Sequence, residues 1–181
     1  MKDYAESAES VEQLLARVLE LYERGELLAA FEAGRRLGPI TSWPGTEGRV
    51  LAGRVAGQLG ARRVSAALFL RAFRADRESA LAGYYYTSTM LARHGAFAAL
   101  RILRSYELSS LADQGLAADW HGLAAQIYGQ LRDFDTAEAH IAMAFDLTPS
   151  QSYRWIERSA LFELEDEYAQ ALAAAQPVTT G

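Results

Sequence analysis

Asp119, His121 and His140 are the side chains whose types best suit a metal or acid–base centre: the first two lie two residues apart, and His140 follows on what reads as the facing helix of a hairpin. Two imidazoles and a carboxylate would suit a zinc ion or a proton relay. Residues two apart on a helix point to different faces, so packed or solvated histidine is the preferred reading. Glu163, Glu165, Asp166 and Glu167 form an acidic cluster without the alternating ligand spacing of a calcium loop, which reads as a solvated turn. No Gly-rich phosphate loop, Ser elbow or His-rich zinc helix occurs. The absence of Cys removes disulfides, thiolate zinc sites and Cys nucleophiles. The expectation is a non-catalytic chain with no metal and no cofactor.

The elements that would carry these side chains are helices. The 181 residues are 50% hydrophobic and 23% charged, with only 4 Pro, which suits a helix-rich globular chain. Apolar residues recur at helical spacing, first as Val11, Leu14, Leu15, Val18, Leu19, Leu21 and Tyr22. That stripe stops at Gly25, where a left-handed backbone ends a helix at little cost, and a second stripe runs through Leu27, Leu28, Phe31 and Leu37. The same stripe, glycine, stripe order returns around Gly60 and Gly95, so the three glycines are 35 residues apart. A constant period of that size is the mark of a solenoid. The chain therefore reads as all-α, with five hairpin units at about 10–38, 46–79, 80–113, 116–150 and 151–175. A tail is expected at 1–9, a loop at 39–45, and a second tail at 177–181. Thr46 is expected to cap the helix after the loop, and Trp43 to plug the gap between the units on either side of it.

The fourth unit is the sharpest, with Ala137, Ile141, Ala144 and the closing Pro149 in and after its second helix, Tyr128 in its first, and Asp133-Phe134-Asp135 at the turn. These spacings resemble the tetratricopeptide repeat family. Trp155 and Phe162, then Tyr168 and Ala171, continue the resemblance in the fifth unit. Ser65, Phe69 and Ala72 continue it in the second unit, and Ala99, Leu103 and Tyr106 in the third. The first three units lack the first-helix Trp and the closing Pro. The resemblance implies a right-handed superhelical solenoid whose concave face is lined by the first helix of every unit. It also implies a bacterial protein–protein interaction scaffold that captures a protein or peptide on that face. Phasing by the motif puts Arg54, Gln58, Tyr85, Thr89, Arg93, Gln126 and Gln130 in the groove, a mixture suited to a segment carrying acidic groups. The carboxylate clamp of the family's chaperone-binding members needs two Asn, a Lys and an Arg; this chain has no Asn, and its one Lys is Lys2.

Charge is unevenly spread. Residues 1–34 carry −5, residues 35–104 carry +9, and residues 105–181 carry −9, a pattern that could steer an anionic partner to the centre or pair copies of the chain. Tyr84-Tyr85-Tyr86 beside Arg93 could stack on bases, but the overall acidity argues against nucleic acid. No run is long and apolar enough to cross a membrane, and the polar N-terminus is unlike a secretory signal, so a cytoplasmic place is expected. Two alternatives stand beside the scaffold. One is the recruiting or regulatory arm of a larger enzyme, such as a bacterial peptidase. The other is a self-associating module joined through an uncapped C-terminal end.

Overall fold

A computed structural model describes residues 9–151 and 153–179, with side chains as far as residue 176. The described residues form ten α-helices and no strand: α1 (Val11–Glu23), α2 (Leu27–Gly34), α3 (Gly45–Gln58), α4 (Arg62–Ala75), α5 (Ala80–His94), α6 (Ala96–Leu103), α7 (Gln114–Gln130), α8 (Phe134–Leu147), α9 (Tyr153–Leu164) and α10 (Tyr168–Thr179). Residues 1–8 and 180–181 of the expected tails lie outside this description, and α10 runs on through 177–179.

Helix starts follow local chemistry. Ser10 and Gln13 form a reciprocal capping box at α1, the Ser10 Oγ accepting from the Gln13 N–H at 3.2 Å and the Gln13 Oε1 accepting from the Ser10 N–H at 2.8 Å. Asp113 accepts from the N–H groups of Gly115 and Leu116 at α7, and Asp133 from Thr136 at α8. Thr46 has no such part: α3 begins at Gly45, directly after Pro44, whose missing N–H and fixed φ suit the edge of a first turn.

Between the two helices of each hairpin the chain turns through one left-handed residue. Gly25, Gly60 and Gly95 have φ of 76°, 85° and 80°, as the period requires, while Arg132 and Asp166 take φ of 63° and 65° in the last two turns. In four of the five turns the next N–H closes on a carbonyl five residues back: Glu26 on Leu21, Ala61 on Ala56, Asp133 on Tyr128, and Glu167 on Phe162. This is the bonding of a Schellman end.

The chain packs as two units, one through Ala82 and one from Gly83. In the first, α1 pairs with α2 and α3 with α4, and α3 also lies against α1 and α2. Its core holds Val18, Ala30, Leu51, Val55 and Leu68 around Trp43. Trp43 is 1% exposed and packs on Gly34 so closely that a Cβ there would collide with the indole. The loop tryptophan is thus a structural plug.

In the second unit α7 pairs with α8 and α9 with α10, while α9 also touches α7 and α8. Trp120 is fully buried against Tyr84 and Tyr106, with ring centroids 5.8 and 4.9 Å away. Ala137, Ile141 and Ala144 are buried where α8 crosses its neighbours. Small residues there let helix backbones approach.

Candidate functional site

In the first unit, α1 and α3 bound a cleft of about 440 Å³. The two helices run side by side in the same direction. Gly48 lies so near Leu15 that a Cβ would sit 3.4 Å from it, and further along the Arg54 guanidinium lies over the Tyr22 ring, 4.4 Å from its centre. Leu15, Leu19 and Leu51 give the cleft an apolar floor, Ala16 lies exposed beside it, and Glu12 and Glu47 stand at the end away from Arg54. The arrangement is an apolar slot with acidic groups at one end and a cation at the other, which suits a side chain or helix face flanked by charges.

The second unit carries a polar network on the first helices of its hairpins. The fully buried Arg154 of α9 donates from Nη2 to Asp119 of α7 at 2.9 Å and from Nη1 to Glu157 at 2.9 Å. Its Nε donates to the Thr148 hydroxyl at 3.1 Å, and the Tyr153 hydroxyl donates to Asp119. One cation between two carboxylates leaves the group net negative. Burial pushes the Glu157 carboxyl upward, against the pull of Arg154. Burial, then the bond to Asp119, raises the Tyr153 phenol well above its usual range. Gly122 leaves room for this network, since a Cβ there would collide with the Glu157 carboxylate.

His121 and His140 do come together. Their Nδ1 atoms lie 2.8 Å apart, and the Tyr128 ring stacks on His140 with centroids 5.6 Å apart. Asp119 is engaged by Arg154 and Tyr153 instead. No group of three or more metal-ligating side chains occurs among the described residues. Burial lowers both histidines below the usual range near 6.5, helped by Arg154 at His121 and by His121 at His140.

No protein-family model and no curated protein matches the sequence. Solved structures do resemble the chain. A tetratricopeptide repeat protein from Parabacteroides merdae superposes with a TM-score of 0.65 at 13% identity over 96% of this chain. The fold is a tetratricopeptide-repeat fold. This chain spans 66% of the length of that relative. MamA from Desulfovibrio magneticus, residue 41 to its end, gives 0.59 at 16% identity, over 95% of this chain and 96% of that one. YrrB, described as a TPR protein with an unusual peptide-binding site, gives 0.53 at 16% identity, over 93% and 84%.

The residues that the repeat phasing assigned to a groove fall into both units. Arg54 borders the α1–α3 cleft, and Gln58 is exposed one turn further along α3. Tyr85 is half-buried, edge-on to Tyr84 with centroids 5.1 Å apart, and the Thr89 hydroxyl is spent on the Tyr85 carbonyl at 2.9 Å. Arg93, Gln126 and Gln130 are exposed. On α7, Asp119 lies seven residues before Gln126 and so shares its stripe. Sequence reasoning did not single out Glu12, Ala16 or Glu47, which line the α1–α3 cleft, and named Asp119 only as a candidate metal or acid–base residue.

Proposed function

We propose that the chain is a non-catalytic scaffold that captures a protein or peptide on the faces of its first-position helices. The α1–α3 cleft carries the reading. A captured segment would set an apolar side chain on Leu15, Leu19 and Leu51, turn an acidic group toward Arg54, and turn a basic one toward Glu12 and Glu47. In the second unit the stripe of Asp119, Gln126 and Gln130, with the 53%-exposed Ile156 and the 38%-exposed Tyr153 on α9, supports a second contact of mixed polarity. The likeness to YrrB supports the peptide reading. No helix among the described residues is long and apolar enough to cross a membrane, and a cytoplasmic place belongs to the same proposal.

The test is client capture with three variants. Ala16→Arg fills the cleft from an exposed position, and Arg54→Glu and Arg93→Glu reverse charges in the two units. A specific client retained at wild-type yield by all three, with unchanged melting, would reject the reading. Loss with Ala16→Arg and Arg54→Glu is expected.

A second reading rests on α10, where Tyr168 and Leu172, one turn apart, are 67% and 68% exposed. Such a face suits a neighbour stacked on the last hairpin, either a second copy or a further part of a larger enzyme. Light scattering of wild type and Leu172→Lys separates these: a dimer lost in the variant indicates self-association, and a monomer in both excludes it.

A further inference from the structure

In the first unit, away from the α1–α3 cleft, a second cleft of about 490 Å³ is lined by Arg49 of α3, Arg71 and Arg74 of α4, and the Thr41-Ser42-Trp43 stretch of the connecting loop. Among the described residues none of these arginines has a carboxylate within ion-pair distance. Arg71 reaches the Thr41 carbonyl at 3.4 Å. Three other arginines of the unit are matched at home: Arg24 with Glu20 and Glu26, Arg35 with Glu32 at 2.9 Å, and Arg36 with Glu9 at 2.6 Å. Arg62 and Arg63, at the start of α4, stand apart from the cleft without an ion pair among the described residues. Asp76, the acid that follows α4, is turned back onto the N–H groups of Glu78 and Ser79. Trp43 also lines the cleft, but it is 1% exposed with its ring packed on Gly34 of α2, so its indole N–H is closed off from a ligand there.

Three guanidinium groups lining one cleft, Arg49 half-buried and Arg71 and Arg74 exposed, concentrate positive charge there, and an anion seated among them would relieve their repulsion. A single carboxylate leaves two charges unanswered. A phosphate monoester brings a charge of about −1.5 to −2 and three acceptor oxygens, which match forked guanidinium donors. We propose that the Arg49–Arg71–Arg74 cleft is a binding site for a phosphate monoester dianion. Trp43 is sealed in the core and offers no face for base stacking, which favours a phosphorylated side chain over a nucleic acid. The site does not depend on the α1–α3 cleft and stands or falls separately from the scaffold reading.

The experiment follows the arginine Nε–H resonances of the full chain by NMR during titration with a phosphoserine heptapeptide, its unphosphorylated form, inorganic phosphate, acetate and a short single-stranded RNA. Saturable shifts at Arg49, Arg71 and Arg74 are expected with the phosphoserine peptide and with phosphate. Their affinity should be about tenfold or more above that for acetate. A stronger response to the peptide than to phosphate marks a partner's phosphorylated side chain as the source. Equal responses mark a free phosphate. Arg49→Gln with Arg74→Gln should weaken binding about tenfold, while Arg62→Gln with Arg63→Gln, removing equal charge from the start of the same helix, should leave it within about twofold. Equal loss in both pairs, shifts that never saturate, or RNA binding tighter than the phosphoserine peptide would overturn the proposal. Melting curves of both pairs confirm that the fold is retained.

Discussion

Arg154 and Asp119, 35 residues apart in the chain, meet at 2.9 Å and join the first helices of the last two hairpins. Arg154 is the largest buried charged side chain, and its whole fork is used: Asp119, Glu157 and Thr148 each accept from it. Replacing it with Met leaves Glu157, whose side chain is only 14% exposed, without its cation. That change should destabilise the chain by about 3 kcal/mol, at the low end for a broken buried pair because Asp119 is 35% exposed. Urea unfolding of wild type and Arg154→Met checks the value.

The His121–His140 contact gives a pH dependence whose sign is set. Nδ1 to Nδ1 bonding at 2.8 Å needs one donor and one acceptor, so a second proton would place two donors face to face. Both groups have folded values below the usual 6.5, so the unfolded chain binds protons more readily. Their stabilisation is fully present above that range and is lost as the pH falls through it. Melting temperature should drop as the pH falls below about 6.5, and His140→Gln should flatten the slope. Burial raises Glu157 above 4.5, which has the opposite sign: its contribution is present below 4.5 and is lost as the pH rises.

Gly60 has φ of 85° and nothing within 4 Å of where a Cβ would stand. Gly60→Ala therefore meets only the backbone penalty of a left-handed L-residue, about 1 kcal/mol. Gly25→Ala, with equally open space at φ of 76°, should cost the same. Denaturant midpoints of the two variants measure it.

Gly34→Ala acts through packing instead. Its Cβ would enter the Trp43 ring, and Trp43 is too enclosed to move freely. A loss of about 1–3 kcal/mol is expected from overpacking. A shift in tryptophan emission should accompany it, because the displaced indole gains water.

How much of this was legible depended on whether the residue type carried the geometry. The period was visible at Gly25, Gly60 and Gly95 because glycine favours the left-handed turn; at Arg132 and Asp166 the turns were placed by the repeat motif and the acidic run, but the left-handed φ was not, since these are ordinary polar residues by type. Ala137, Ile141 and Ala144 were readable because close helix crossings demand small side chains at fixed spacing. Arg154 was not, since an arginine beside Trp155 reads as surface until the carboxylates of two helices are seen to enclose it. The nearness of His121 and His140 was readable, since they sit on facing helices of one hairpin, and helical phase correctly separated Asp119 from them; what was not readable is that Arg154 and Tyr153 engage Asp119 instead. Arg49 and Arg71 are distant in sequence, and only the folding of α3 onto α4 brings them to one cleft.

The scaffold reading is tested most directly by site-specific photocrosslinking from inside the α1–α3 cleft. A photoreactive residue at position 16 reports on the cleft, and the same residue at position 29, exposed on α2, reports on another surface. In lysate of the source cells, one defined adduct at position 16, absent at position 29 and competed away by excess unlabelled protein, is the expected result. Equal adducts at both positions, or none at position 16, would contradict the claim that this cleft receives a partner.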